Sequence, residues 1–448
     1  MLIDHASPHP RTVQDPGPAI SDLGLDRGGL WKAYQAVRGT TEALCAPLEI
    51  EDYVIQSMTE ASPAKWHLAH TTWFFETFVP RHDAHFEPVD PMYSYLFNSY
   101  YDAVGERIAR DRRGLLSRPT VAEIYLYRAL VDQAIEALLE AATEDKLRQI
   151  RGPLILGLHH EQQHQELILT DIKHALGSNP LHPAYRKAKP GPPSATRIKP
   201  LGWIEFPEGL RTIGHDGTGF AFDNEAPRHQ EYVAPFAIAD RLVTNREYFE
   251  FIQDLGYRRH SFWLSDGWTA ARGDKWYAPL YGEATDDHRW WQFTLAGRRE
   301  LELDQPVCHV SYFAADAYAR WAGYRLPTEA EWETAVIESG AARDGNFLES
   351  GRIHPAALSE QPRPAGSAPA QLFGDVWEWT QSAYSPYRGF RPAKGAIGEY
   401  NGKFMCNQYV LRGGSCVTPG SHIRATYRNF FPADARWQFS GIRLARDV

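Results

Sequence analysis

The sequence predicts an α+β protein of two domains: a four-helix bundle, then a mixed unit of short strands, short helices and long loops. Three observations carry this. The chain has 448 residues, too many for one hydrophobic core. Residues 30–176 hold segments with apolar stripes at helical spacing. Lys187 to Pro200 contains Lys189-Pro190-Gly191-Pro192-Pro193-Ser194, a linker composition. Beyond it Gly, Pro and aromatic residues rise and helical stripes become rare. The expected division is an arm over 1–25, a bundle over 26–186, a linker over 187–200 and a second domain over 201–448.

The arm is rich in Pro, Asp and Ser and lacks periodicity, which suits a loose terminus. Leu30, Tyr34, Val37 and Leu44 mark a first helix over 30–48. Ser62-Pro63 opens a second, since proline is favoured in a first turn where its missing N–H costs nothing. That helix carries Trp66, His67, His70 and Trp73. Residues 89–101 are aromatic and irregular. Ile124, Tyr127, Val131, Ile135 and Leu138 stripe a third helix over 120–142. A fourth runs over 151–176 and stops at Gly177. Long connections between histidine-bearing helices read as a bundle with a site in its core. In the second domain, helices are expected over 245–255, over 314–322 and after Pro327, among short strands and loops.

Composition excludes several functions. The apolar fraction is 43%, with 14 Trp, so the units are well packed and not disordered. A net charge of −9 disfavours nucleic acid, which needs a basic footprint. No stretch approaches a membrane span, and the N-terminus has no apolar leader. Cys45, Cys308, Cys406 and Cys416 form no CxxC pair, which fits reduced thiols and a cytoplasmic location. The expected partners are small molecules, with no nucleic acid and no membrane.

The stretch that organises the chain is Leu158-His159-His160-Glu161-Gln162-Gln163-His164. His160 and His164 stand four apart, so on a helix their imidazoles share one face, one turn apart. Two neutral imidazoles so placed can bind one metal ion. The competing reading is a polar helix face whose histidines bond to neighbouring side chains. His67 and His70 lie one turn apart on the second helix, and spacing leaves both open as a third ligand.

Ordered landmarks follow in the second half. They are Asp223-Asn224-Glu225, Arg325-Leu326-Pro327-Thr328-Glu329-Ala330-Glu331-Trp332-Glu333, Gly374-Asp375-Val376-Trp377-Glu378-Trp379, Arg412-Gly413-Gly414-Ser415 and Gly441-Ile442-Arg443-Leu444-Ala445. Together they resemble the formylglycine-generating-enzyme (sulfatase-modifying factor) domain, whose fold is C-type-lectin-like. The first half resembles a DinB-like four-helix bundle. The combination, with Leu68-Ala69-His70 and His160-Glu161-Gln162-Gln163-His164, resembles the ergothioneine-biosynthesis sulfoxide synthase family over nearly the whole chain.

That resemblance implies an enzyme using non-haem Fe(II) and O₂. It joins the sulfur of cysteine, or of γ-glutamylcysteine, to C2 of the imidazole of hercynine and yields a sulfoxide. Histidine as acceptor is the ovothiol-type alternative. The resemblance implies His70, His160 and His164 as the iron ligands. It places Gln163 and Asn429 against hercynine, and Tyr100 and Tyr101 beside the iron, where a phenol can donate a proton or hydrogen atom. Ile397 aligns with the catalytic tyrosine of the mycobacterial-type branch, with Tyr400 nearby. Arg110 and Arg113 suit the donor carboxylate, which a guanidinium fork binds well. Phe431 stands where the mycobacterial-type branch has an Asp that helps hold γ-glutamylcysteine, so free cysteine is the expected donor. Trp377 and Trp379 offer ring faces for a quaternary ammonium, with core packing as the alternative.

Four rivals remain. His160-Glu161-Gln162-Gln163-His164 satisfies the zinc-protease pattern HExxH, but Leu167 and Thr170 stand where a metzincin needs Gly and His. A protease would lose activity on Glu161→Gln, whereas a sulfoxide synthase should be affected only modestly. A DinB-type thiol transferase leaves the second domain without a role. A copper-dependent formylglycine-generating oxidase needs two cysteines near Arg412-Gly413-Gly414-Ser415, and no cysteine follows Cys416. A lectin-like binding module leaves the histidines without a purpose.

Overall fold

The computed structural model describes residues 26–82, 86–187, 199–285, 289–358 and 368–448. The arm over 1–25 and most of the linker, 188–198, lie outside them. The chain forms two compact units. One holds residues up to Ser99 and Arg107–Ile172; the other holds Tyr100–Glu106 and Lys173–Val448. Compared with the expected bundle over 26–186, seven residues from Tyr100 and the tail beyond Ile172 group with the second unit.

The first unit is helical: α1 (Arg27–Cys45), α2 (Ala64–Phe78), the short α3 (Tyr93–Phe97), α4 (Val121–Ala141) and α5 (Glu144–Ser178), the last shared with the second unit. Thr120 caps α4 in a capping box with Glu123, which satisfies two otherwise orphaned donors. The stripe of α4 is buried at Ile124, Tyr127, Val131, Ile135 and Leu139. Leu138 packs only at the core's margin. Helix α5 starts seven residues before the expected Arg151 and runs through Pro153. Proline removes one intrahelical hydrogen bond, yet Leu147, Ile150 and Leu154 continue one buried stripe across it. Packing of that stripe outweighs the missing bond. Helix α2 is buried on all sides except at Phe78. A helix buried all round must find a partner for each polar side chain, and this requirement shapes the site below.

The second unit contains, in chain order, β1 (Trp203–Phe206), β2 (Gly209–Ile213), β3 (His229–Val233), β4 (Phe236–Ala239), α6 (Asn245–Gln253), α7 (Ser265–Gly273), β5 (Gly282–Ala284), β6 (Trp290–Thr294) and β7 (Gly297–Glu300). Then come α8 (Tyr312–Trp321), α9 (Glu329–Ser339), β8 (Trp377–Ala383), β9 (Gln408–Arg412), β10 (Asn429–Pro432), β11 (Ser440–Gly441) and β12 (Ala445–Asp447). The sequence anticipates α6, α8 and α9 but not α7, whose buried residues are only the small Gly267 and Ala271 and so draw no apolar stripe. The sheets have strand orders β10-β9-β8-β11, β1-β4-β12, β5-β6-β7 and β2-β3. The last strand, β12, pairs antiparallel with β4, placing Ala445 opposite Ile238.

The sequence landmarks bind one another through buried charge. Arg443 meets Glu378 at 2.7 Å, and Trp332 Nε1 donates to the same carboxylate at 2.8 Å. Glu329 accepts from Arg412 at 3.0 Å and from Arg428 at 2.8 Å. Arg412 also reaches Glu333, and Arg424 pairs with Glu225. Each charge is tolerable in the interior only because its partner is fixed. Arg412-Gly413-Gly414 shows why glycine follows: Gly413 and Gly414 have φ of 97° and 81°, the left-handed region that glycine alone enters freely. A side chain on Gly413 would also meet the Leu372 carbonyl at 2.5 Å.

Candidate metal centre

In the first unit, α2 and α5 bring three imidazoles together. One ring nitrogen from each of His70, His160 and His164 lies within 4.8 Å of the others, and all three residues are buried. Among the described residues this is the one cluster of at least three such groups that could hold an ion. His70 Nε2 stands 3.2 Å from His160 Nε2. Nitrogens each about 2.1 Å from a shared ion and at right angles to one another sit about 3 Å apart, so the donor set fits a metal.

The protonation states also fit. Burial drives the His70 and His164 imidazoles well below their ordinary value, with His160 reinforcing the effect on both. Burial likewise takes His160 down to about 3, against an opposing pull from Glu161. All three rings are therefore neutral near pH 7, the form that ligates metals. The Nδ1–H of His70 donates to the Phe97 carbonyl at 2.5 Å, which leaves the Nε2 lone pair facing the cluster. Trp66 stacks on the His70 ring at 4.6 Å and 10°, holding its plane.

His67 is not in the cluster. Its Nδ1 lies 2.8 Å from His164 Nδ1, and its Nε2 lies 3.0 Å from Asp171 Oδ2. Sequence spacing leaves His67 and His70 equivalent; their partners separate them, His164 and Asp171 for His67, the Phe97 carbonyl and His160 for His70. Asp171 was not among the residues picked from the sequence. A signal existed: eleven residues after His160 is about three turns, so Asp171 falls on the histidine face of α5.

Glu161 points elsewhere. Its carboxylate is fully buried and paired with Arg38 at 3.0 Å and Arg128 at 3.1 Å. Burial alone would raise it, but the two guanidiniums outweigh burial and hold it at about 2. A carboxylate so engaged cannot serve as the general base that HExxH proteases require, which disfavours the protease reading. It also overturns the expectation that Glu161→Gln is a mild change.

Arg113 is buried. Its guanidinium lies 3.5 Å over the ring of Trp66 and donates to Ser62 Oγ at 2.9 Å and Ser99 Oγ at 3.1 Å. Burial, with Arg110 adding repulsion, lowers it to about 9. Both of these bonds go to hydroxyls, and the Asp171 carboxylate acts on it as a weaker charge that favours the cation. Arg110 differs: it is exposed and donates to the Glu60 carbonyl. Gln163 is half-buried on α5, one residue before His164.

The remaining candidates belong to the second unit. Tyr100 and Tyr101 stack at 4.6 Å and 30°. Burial raises both phenols, so both stay protonated. Tyr400 meets the Tyr100 ring edge-on at 6.1 Å. The backbone N–H groups of Asp102 and Ala103 both donate to Glu399 at 2.8 Å, and Lys403 bonds to the Tyr100 carbonyl. The two tyrosine proposals, the Tyr100–Tyr101 pair and Tyr400, thus share one cluster. On β10, Phe430 stacks on Tyr384 at 4.0 Å. Strand alternation puts Asn429 and Phe431 on the opposite face. Phe431 is half-buried and meets Trp437 edge-on at 6.0 Å. Trp377 and Trp379 are fully buried; Trp379 Nε1 donates to the Val310 carbonyl at 2.9 Å. They pack as core.

Comparison with known proteins also finds two domains. Residues 33–168 match the DinB superfamily, and residues 192–448 match the sulfatase-modifying factor enzyme 1-like domain. The chain is 34% identical to the hercynine oxygenase of Mycolicibacterium thermoresistibile over 86% of its own length and 88% of that protein's. It is 34% identical to the hercynine oxygenase of Mycobacterium tuberculosis, over 86% and 91%. It is 28% identical to the ergothioneine biosynthesis protein 1 of Schizosaccharomyces pombe, over 51% of this chain and 28% of that one.

Proposed function

This chain belongs to the hercynine oxygenase family, and from that premise we propose that it is an Fe(II)-dependent sulfoxide synthase of ergothioneine biosynthesis that joins free cysteine to hercynine. The observation that carries the metal is the buried convergence of His70, His160 and His164. Three neutral nitrogens can leave other positions of an octahedral ion open, and bound iron would supply O₂ activation. A Cys₄ or other saturated site would leave none.

The overall reaction balances as follows. The imidazole C2–H and the thiol S–H bonds break and a C–S bond forms. One oxygen atom of O₂ goes to sulfur and the other leaves as water with the two hydrogens. The chain's residues have separate tasks. Arg113, buried and bonded to two hydroxyls, receives the carboxylate of the sulfur donor, with Arg110 assisting. Gln163 and Asn429 orient hercynine. Tyr101 and Tyr100, both held protonated, deliver a proton or hydrogen atom. Phe431 offers no acceptor for the ammonium of a γ-glutamyl arm, so it discriminates by shape alone.

Two measurements test this. Iron is loaded anaerobically, then O₂ consumption and product are followed with hercynine or histidine as acceptor and cysteine or γ-glutamylcysteine as donor. The expected result is the highest kcat/KM for hercynine with cysteine. A preference for γ-glutamylcysteine would refute the donor assignment alone. Tyr101→Phe and Tyr100→Phe should still bind both substrates but lose sulfoxide, diverting O₂ to oxidation of the thiol. Unchanged product ratios in both single variants and in the double variant would move the role to Tyr400.

A further inference from the structure

The hydrogen bonds behind His164 form an ordered chain. Asp171 Oδ2 accepts the Ser62 backbone N–H at 2.8 Å, so this oxygen acts as an acceptor. The same oxygen lies 3.0 Å from His67 Nε2, which therefore carries the imidazole hydrogen. In the neutral form of His67, whose hydrogen is then on Nε2, Nδ1 carries the lone pair. That lone pair lies 2.8 Å from His164 Nδ1, which must supply the hydrogen between them. His164 then keeps its lone pair on Nε2, the nitrogen left to serve the cluster to which His164 belongs. Every group in the chain is buried, so water does not compete for these bonds.

We infer that Asp171 and His67 are positioning residues that fix the hydrogen of His164 on Nδ1 and thereby present Nε2 for coordination. The inference rests on the metal reading of His70, His160 and His164 above. His70 is fixed differently, by the Phe97 carbonyl, so the two rings are oriented by independent partners. Outer partners of ligating histidines commonly change metal affinity by about 10- to 100-fold when removed.

The test uses the full-length chain and Co(II), whose visible bands report coordination, with affinity measured by competition against a chromophoric chelator. His67→Phe keeps the bulk but removes the acceptor, and should weaken Co(II) binding by about 10- to 100-fold and shift the bands. His67→Gln should restore most of the affinity. Its amide oxygen can accept from His164 while its NH₂ donates to Asp171, with a spacing like that of the imidazole nitrogens. A role in packing alone predicts the reverse order, since Phe fills the ring's space better than Gln. Far-UV circular dichroism and the thermal midpoint of the metal-free proteins select folded variants. Should His67→Phe fail to fold, Asp171→Ala is measured in its place and should also lose affinity, although Asp171 does not touch the cluster. Parent-like affinity in a folded His67→Phe or Asp171→Ala variant, or no recovery in His67→Gln, overturns the relay. A parent chain that binds no Co(II) overturns the metal reading instead.

Discussion

Replacing His164 by alanine is expected to abolish both metal retention and turnover. The cluster offers three ring nitrogens, and removing one leaves two in a buried pocket. The remaining rings do not compensate. His70 is anchored to the Phe97 carbonyl at 2.5 Å, and His67, the nearest other imidazole, is engaged by Asp171 at 3.0 Å. Losing an outer partner costs about 10- to 100-fold in affinity, so losing a direct ligand should exceed that range. Metal content per chain after desalting, together with O₂ consumption, checks this. An iron-replete, active His164→Ala protein would sink the ligand assignment. His160→Ala should behave alike.

The second large effect is on folding. Glu161→Gln should destabilise the first unit by about 3–5 kcal/mol, the usual cost of breaking a buried ion pair from one side. Two guanidiniums, Arg38 and Arg128, would lose their shared counter-charge while almost fully buried. The pH dependence has a definite sign. The folded carboxyl is held at about 2, down from 4.5, so its contribution is complete above pH 4.5 and is lost as pH falls towards 2. That difference corresponds to about 3 kcal/mol. Thermal unfolding of parent and variant between pH 7 and pH 3 checks it. The parent should lose its advantage over the variant on acidification. Equal melting temperatures at pH 7 would refute the role of Glu161 as the hub of this network.

Much of the fold was legible because helices of the first unit carry long apolar stripes, and stripe spacing survives any tertiary context. Tyr34, Tyr127, Val131 and Ile135 all face the core as their spacing requires. The start of α5 is hidden in the sequence because Gly152-Pro153 looks like a helix start; only the buried Leu147 and Ile150 upstream show that the helix continues through it. In the second unit, periodicity gave little, since its strands hold no more than seven residues. Its motifs were legible for another reason: Glu329, Glu378, Arg412 and Arg443 occupy fixed positions because each must meet an opposite charge in the interior. The histidine pair on α5 was legible from its four-residue spacing. The assignment of His67 to a second layer was not, because it depends on how α2 rotates against α5. Nor did sequence show that Glu161 faces α1 and α4, which decides against its use as a base.

The segment carrying Tyr100 and Tyr101 has a consequence for synthesis of the chain. Its backbone is tied to Glu399, which lies 297 residues beyond Asp102. At about 5–20 residues per second, Asp102 leaves the decoding centre roughly 15–60 s before its partner is made. For that interval Tyr100 and Tyr101 have neither Glu399 nor Tyr400 beside them. Strand β12 adds a later requirement, because β4 has its second neighbour only when Ala445–Asp447 has emerged. The histidines of α2 and α5 are translated early, so a nascent chain could hold its imidazole cluster well before the tyrosines are set. The order of translation thus separates synthesis of the imidazole cluster from completion of the phenol cluster, and a ribosome stalled before residue 399 would carry the residues of the first without the partners of the second.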